Sequence, residues 1–137
     1  MTITCWFYVS RSLIAPASVE AEIERIVDIS RPRNAGLQVS GALAFARDMF
    51  TQYLEGPAEA IEQLRGSIEH DPRHADVVTI RTGPADSRHF ALWSLAYTGP
   101  ASYMARAIEK TLLASLHDPR RDVDALLELL TQMAAKG

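Results

Sequence analysis

The sequence predicts an α+β domain of ferredoxin-like topology, β-α-β-β-α-β with a fifth strand and two C-terminal helices. Three observations carry this. Apolar residues switch along the chain between strand-length runs and stretches of helical period, in the order strand, helix, strand, strand, helix, strand. Two apolar runs near the middle are separated by Arg47-Asp48, the polar break of a β-hairpin. The composition is that of one ordinary globular domain: 137 residues, 47% hydrophobic and 23% charged, enough to bury a sizeable core.

Ile3 to Val9 is β-branched and aromatic, and is the first predicted strand. Ser10 to Ala17, with Pro16, is a loop. Ser18 is a helix N-cap, and Glu20 and Glu22 put negative charge where the helix dipole favours it. Val19, Ile23, Ile26 and Val27 then form one apolar face. Pro32 should end or kink that helix, because it has no N–H for the carbonyl four residues back.

Val39 and Ala42 to Phe45 make one strand of the hairpin; Met49, Phe50, Tyr53 and Leu54 make the other. Gly56-Pro57 closes it and starts a helix with Pro at its first position, where the missing N–H costs nothing. Ile61, Leu64 and Ile68 line that helix, which stops near Asp71-Pro72. Val77 to Ile80 is the fourth strand and Phe90 to Tyr97 the fifth, with Ala91, Trp93, Leu95 and Tyr97 on one side by alternation.

The remainder differs in character. Met104, Ile108, Leu112 and Leu116 suggest a third helix. Asp118 and Pro119 start a fourth, with Val123, Leu126, Leu127, Leu130 and Met133 on its apolar side. That side either covers the open face of the sheet or meets another subunit. The division expected is 1–99 for the main domain and 100–137 for a helical extension.

Several function classes are excluded. A net charge of −3 argues against a nucleic-acid surface. The first residues lack the pattern of a signal peptide, and no run approaches the roughly 20 apolar residues of a membrane span. A lone Cys5 forms no internal disulfide and fits a reducing cytoplasm. Cys5 and the four histidines have no metal-ligand spacing, so no metal is expected.

Gln52 is the odd residue of the hairpin: a primary amide within an apolar segment. It bonds either a neighbouring main chain or a polar ligand, since leaving it unpaired would cost roughly 1–3 kcal/mol. The wider pattern chooses. SGAL (Ser40 to Leu43), then F-x-Q-x-LEGP (Phe50 to Pro57), with Asn34 upstream and DPRH (Asp71 to His74) downstream, resembles the BLUF family of blue-light sensors that hold FAD. The resemblance runs from about Trp6 to Tyr97.

That resemblance implies non-covalently bound FAD and no substrate turnover. Asn34 would meet the flavin N3–H and C4 carbonyl with one acceptor and one donor; on its own it reads first as a helix C-cap residue. Gln52 would lie beside N5 and the C4 carbonyl, bonded on its other side to a tyrosine of the first strand. Light makes the flavin a strong oxidant, the tyrosine supplies an electron and a proton, and recombination leaves Gln52 rotated or tautomerised. A new hydrogen bond to the C4 carbonyl then reddens the flavin.

Arg31, Arg33, Arg73 and His74 are candidates for the ribityl-diphosphate and O2 edge, where charge-assisted bonds suit phosphate. Asp71 is a cap or orients Arg73. Trp93 matches a tryptophan near the flavin, and Leu95 stands where the family usually has Met, conserving volume but losing a polarizable sulfur. Pro32 is a second departure and bears on how the Asn34 amide sits. The family tyrosine falls on Ser10 if the match slides without a gap, and on Tyr8 if two extra residues sit in the following loop. Loops accept insertions more readily than buried strands, which favours Tyr8.

The leading expectation is a short, stand-alone photoreceptor that signals to a downstream protein partner or through rearrangement of a homo-oligomer. The alternatives are a photo-inactive ferredoxin-like regulatory or scaffold module and a small acylphosphatase-like hydrolase. The latter needs an arginine phosphate cradle, which the Arg-rich segments do not form convincingly.

Overall fold

In the computed structural model, which describes residues 2–98, 106–107, 110–111 and 123–136, the hairpin lies at the heart of one mixed sheet. The strands are β1 (Ile3–Ser12), β2 (Ser40–Ala46), β3 (Met49–Gly56), β4 (His74–Ala85) and β5 (Ala96–Thr98), in the spatial order β4-β1-β3-β2-β5. β1 is antiparallel to both β3 and β4, and β2 is antiparallel to β3 and parallel to β5. Arg47 and Asp48 join β2 to β3 at φ of 52° and 59°, as a two-residue I′ connection requires. Gly41 permits close packing there: a Cβ would lie 2.2 Å from the Tyr53 carbonyl oxygen.

Alternation along the strands sends side chains to two faces. On one, α1 (Val19–Gly36) packs Val19, Ile23 and Val27 with Leu43, Phe45 and Phe50. α2 (Ala58–Glu69) packs Ile61 and Leu64 with Trp6, Tyr8 and Leu54 on the same face. On the other, α3 (Val123–Lys136) buries Val123, Leu126, Leu127, Leu130 and Ala134 against Cys5, Phe7, Val9, Ala42, Ala44 and Tyr53. Among the described residues, no helix is long and apolar enough to cross a membrane.

Element boundaries moved in informative ways. β1 continues through Ser10 to Ser12, and only Leu13–Ala15 and a 3-10 turn at Pro16–Ser18 remain of the predicted loop. Ser18 occupies the N-cap of α1 without a side-chain capping bond. α1 runs through Pro32 to Gly36. One rung is lost at Pro32, but tertiary contacts hold the last turn: Ser30 and Asn34 are buried, and the Asn34 carbonyl accepts from Leu37 N and Val39 N. Pro57 is the N-cap of α2 rather than its first residue.

β4 is three times the predicted length because it pairs along nearly all of β1. The Phe90–Leu95 stretch is not a strand. Its backbone groups find other partners: Trp93 N donates to Phe90 O at 2.9 Å, Trp93 O accepts from Gly41 N at 3.1 Å, and the Glu55 carboxylate takes His89 N and Phe90 N at 2.7 Å each. Met104, Ile108, Leu112, Leu116, Asp118 and Pro119 lie outside the described residues, as does the side chain of Met133.

Candidate functional site

Between α1 and α2, over the helical face of the sheet, a cavity of about 80 Å³ opens to solvent. Ile26 and Ile29 of α1 and Leu43 and Phe50 of the hairpin give it apolar walls. Tyr8, Gln52, Ser30, Arg33, Asp71, Arg73 and His74 supply its polar lining. The strand pairing explains the floor. Tyr8 stands opposite Gln52 in the β1–β3 register, and Ser10 stands opposite Phe50.

The Tyr8 hydroxyl donates to Gln52 Oε1, and both residues are buried. Burial raises the phenol pKa well above its ordinary value, and the nearby Asp71 carboxylate adds to the rise. Tyr8 is therefore held as a neutral phenol. Ser10, fully buried, is bonded elsewhere: its Oγ lies 2.7 Å from His74 Nδ1. His74 Nε2 contacts the Ile68 carbonyl. A carbonyl only accepts, so Nε2 carries a proton, and in the neutral ring Nδ1 accepts from Ser10.

Arg33 reaches Ser30 Oγ and Asn34 Oδ1 at 3.4 Å each, while its Nε is buried without a hydrogen-bond partner. Desolvation lowers the guanidinium pKa, so the site carries a strained cation that an acceptor in the cavity would relieve. Asp71 and Arg73 form a fork: Nε and Nη2 of Arg73 lie 2.9 and 2.6 Å from the carboxylate, which also takes the Arg73 backbone N–H. The pairing lowers the Asp71 pKa and raises that of Arg73. Glu22 of α1 stands 3.9 Å from Arg73.

Other sequence-predicted residues sit apart from the cavity lining. Asn34 is completely buried in the last turn of α1, and its Nδ2 donates to the Ser94 carbonyl at 2.9 Å. One N–H of that amide and a weakly engaged Oδ1 remain for another partner. Arg31 Nε donates to the Leu95 carbonyl at 3.1 Å. Leu95 packs with Ile23, Phe45 and Phe50 on the helical face. Trp93 departs from expectation: it packs against the cluster beneath α3, on the opposite face of the sheet. The absence of a strand at Phe90–Leu95 removes the alternation that would have put both on one side.

Sequence reasoning missed Ser30 and the walls Ile29, Leu43 and Phe50. It also missed a buried polar network. Glu55, fully buried, accepts from Ser40 Oγ and from His89 N and Phe90 N, while Arg88 bonds Ser40 Oγ at 2.8 Å and Gln38 O at 2.7 Å. A carboxylate inside an apolar strand just before Gly56-Pro57 was the available signal.

Apolar walls, a buried amide–phenol pair at the floor and an orphaned guanidinium N–H suit a polar-edged aromatic ring. A charged rim at Asp71, Arg73 and His74 suits an anionic tail. Comparison with known proteins agrees. The family profile described as "BLUF: Sensors of blue-light using FAD" matches residues 3–96. The chain is 37% identical over 95 residues to the photoactivated adenylate cyclase subunit beta of Euglena longa, a match covering 69% of this chain and 11% of that protein. It is 36% identical over 80 residues to the blue light- and temperature-regulated antirepressor BluF of Escherichia coli K12, covering 58% of this chain and 20% of the relative. The chain thus spans a small part of these curated relatives. Among solved structures, BlrB, a BLUF protein in its dark state, superposes with a TM-score of 0.82 at 28% identity over 96% of both chains.

Proposed function

The chain belongs to the BLUF family of blue-light sensors that use FAD, and from that premise we propose that it holds FAD non-covalently between α1 and α2 and reports light through the Tyr8–Gln52 pair. Bound there and excited by blue light, FAD would supply a strong one-electron oxidant. Tyr8 gives up an electron and, at the same moment, its proton; the acceptor already in place for that proton is Gln52 Oε1. A primary amide presents a donor at one end and an acceptor at the other. Rotation or tautomerisation of Gln52 therefore exchanges what it offers to Tyr8 and what it offers to the cavity. Arg33 and the free valences of Asn34 would hold the ring edge, with Arg73 and His74 toward the diphosphate and Asp71 orienting Arg73.

The observation that carries this reading is the hydrogen bond from Tyr8 to Gln52. Ser10 is committed to His74, and a serine hydroxyl is not an electron donor of the strength of a phenol. Tyr8→Phe should retain FAD and lose the light-induced red shift, while Ser10→Ala should keep it. The reverse pattern, or FAD bound with no red shift in the unaltered protein, would identify a photo-inactive regulatory module instead.

We further propose that the chain turns over no substrate and acts by changing its contacts with a partner protein or domain. Residues 1–99 would form the flavin-binding unit, with 100–137 as a helical cap. A homo-oligomer is expected of a sensor that needs some surface to rearrange, and the apolar face of the last helix is expected either on the sheet or between subunits. That face lies on the sheet through Val123, Leu126, Leu127 and Leu130, so it lends the oligomer no support.

A further inference from the structure

Behind the Tyr8–Gln52 pair stands a residue that the proposed photocycle leaves unused. Trp6 is fully buried, two residues before Tyr8 on the same face of β1. Its indole stacks on the Tyr8 ring with centroids 4.3 Å apart and planes 24° from parallel. Strand geometry alone would separate such residues by about 6.6 Å, so the two rings lean together. Trp6 Nε1 donates to Thr79 Oγ1 at 2.9 Å across the β1–β4 pairing. On the indole face lies the Arg65 guanidinium, its central carbon 5.2 Å from the ring centroid.

Indole and phenol are both oxidised by loss of one electron, and a stacked contact couples their π-systems directly. We propose that Trp6 is a second electron donor of the site, passing one electron to Tyr8 after Tyr8 has been oxidised. The inference rests on the reading of Tyr8 as first donor. Before the step, Tyr8 has lost one electron to the light-excited FAD and one proton to Gln52 Oε1. In the step, an electron moves from the Trp6 indole to the Tyr8 ring, and the proton returns from Gln52 Oε1 to the phenol oxygen. Tyr8 is restored as a neutral phenol and Trp6 is left oxidised by one electron. Trp6 keeps its N–H, because the Thr79 hydroxyl is too weak a base to take it. Bound FAD would be the acceptor that balances the electron lost by Tyr8.

Arg65 decides how long this state lasts. The oxidised indole is positively charged, and the guanidinium over its face opposes that charge, offset in part by Glu69 at 2.6 Å from Arg65. The branch is therefore open but disfavoured, and Arg65 acts as its brake. Trp93, the other of the two tryptophans, packs on the opposite face of the sheet and serves as the control.

The test is transient absorption of the FAD-loaded chain after a blue pulse. An oxidised-indole band should appear, be lost in Trp6→Phe and in Tyr8→Phe, persist in Trp93→Phe, and last longer in Arg65→Gln. Absence of the band from both the unaltered chain and Arg65→Gln, or its survival in Trp6→Phe, overturns the proposal. Failure of the underlying reading looks different: Tyr8→Phe would then keep the red-shifted state. A second measurement needs no cofactor. In FAD-free protein, the near-ultraviolet circular dichroism of the stacked pair should fall in both Trp6→Phe and Tyr8→Leu, and an unchanged spectrum in both would remove the stack on which the transfer depends.

Discussion

Tyr8 and Ser10 lie two residues apart on one face of β1, and their hydrogen bonds divide the site between them. Tyr8 binds Gln52, whereas Ser10 ties the start of β4 to the end of α2 through His74. Ser10→Ala should therefore leave Gln52 undisturbed and lower stability by about 1 kcal/mol, read as a denaturation midpoint shift. Tyr8 also makes a pH prediction. Its pKa is raised in the fold above the ordinary 10.0, so the folded phenol stays neutral where the unfolded one ionises. Its contribution to stability is complete below about pH 10 and is lost as pH climbs from there toward the folded value. In Tyr8→Phe that alkaline loss should shrink, as measured by denaturant titration at pH 9 to 11. The depressed Asp71 works in the other direction: stability is present above its ordinary value of 3.8 and is lost as pH falls below it. For Asn34→Ala, loss of the ring-edge contact should weaken FAD retention by on the order of 1 kcal/mol or more. Dialysis followed by flavin absorbance measures this.

Between elements, the segment from Arg88 to Leu95 runs from the buried Glu55 to the last two turns of α1. Glu55 anchors its start through two backbone N–H groups, and its end is held to α1 by Asn34 on Ser94 O and Arg31 on Leu95 O. Glu55→Ala would strand those buried donors and the Ser40 hydroxyl. Hydrogen bonds to a charged acceptor contribute roughly 1.5–3 kcal/mol each, so the loss should be about 3 kcal/mol or more. Glu55→Gln keeps the acceptor oxygen and should lose less. Hydrogen exchange should then rise over residues 88–95 in Glu55→Ala and stay low in β1, and a rise spread over the whole sheet would mean that Glu55 holds the fold rather than this segment.

Across the whole molecule, both faces of the sheet are covered, and the cavity lined by Tyr8 and Gln52 lies on the α1–α2 face. Leu126 and Leu130 of α3 are fully buried against strands that carry Tyr8 and Gln52 on their other side. Leu130→Ala should cost about 2–5 kcal/mol by the cavity it leaves, in a calorimetric or urea measurement. Because α3 touches alternate residues of the same strands, its FAD affinity should change far less than its stability. A proportional loss of both would mean that α3 shapes the site.

Local chemistry legible in the chain was legible because it needs no partner from afar. Arg47-Asp48 between apolar runs implied the hairpin, the spacing of Ile61 and Leu64 implied α2, and the residues from Asn34 through Gln52 to His74 implied the flavin family. Wherever a distant group supplied the deciding hydrogen bond, the sequence was silent or misleading. Pro32 promised a helix end, but Ser94 and Val39 meet the last turn and carry α1 on to Gly36. Phe90 to Leu95 alternates like a strand, but Glu55 and Gly41 take its backbone groups, and Trp93 turns to the far face. Tyr8 and Ser10 share one face and differ by one step along it, so the choice between them is a matter of strand register. That register is set by the pairing of β1 with β3, whose residues are 44 apart for Tyr8 and Gln52. Periodicity along one strand specifies which side chains point together, and only the neighbouring strand determines which of them meet.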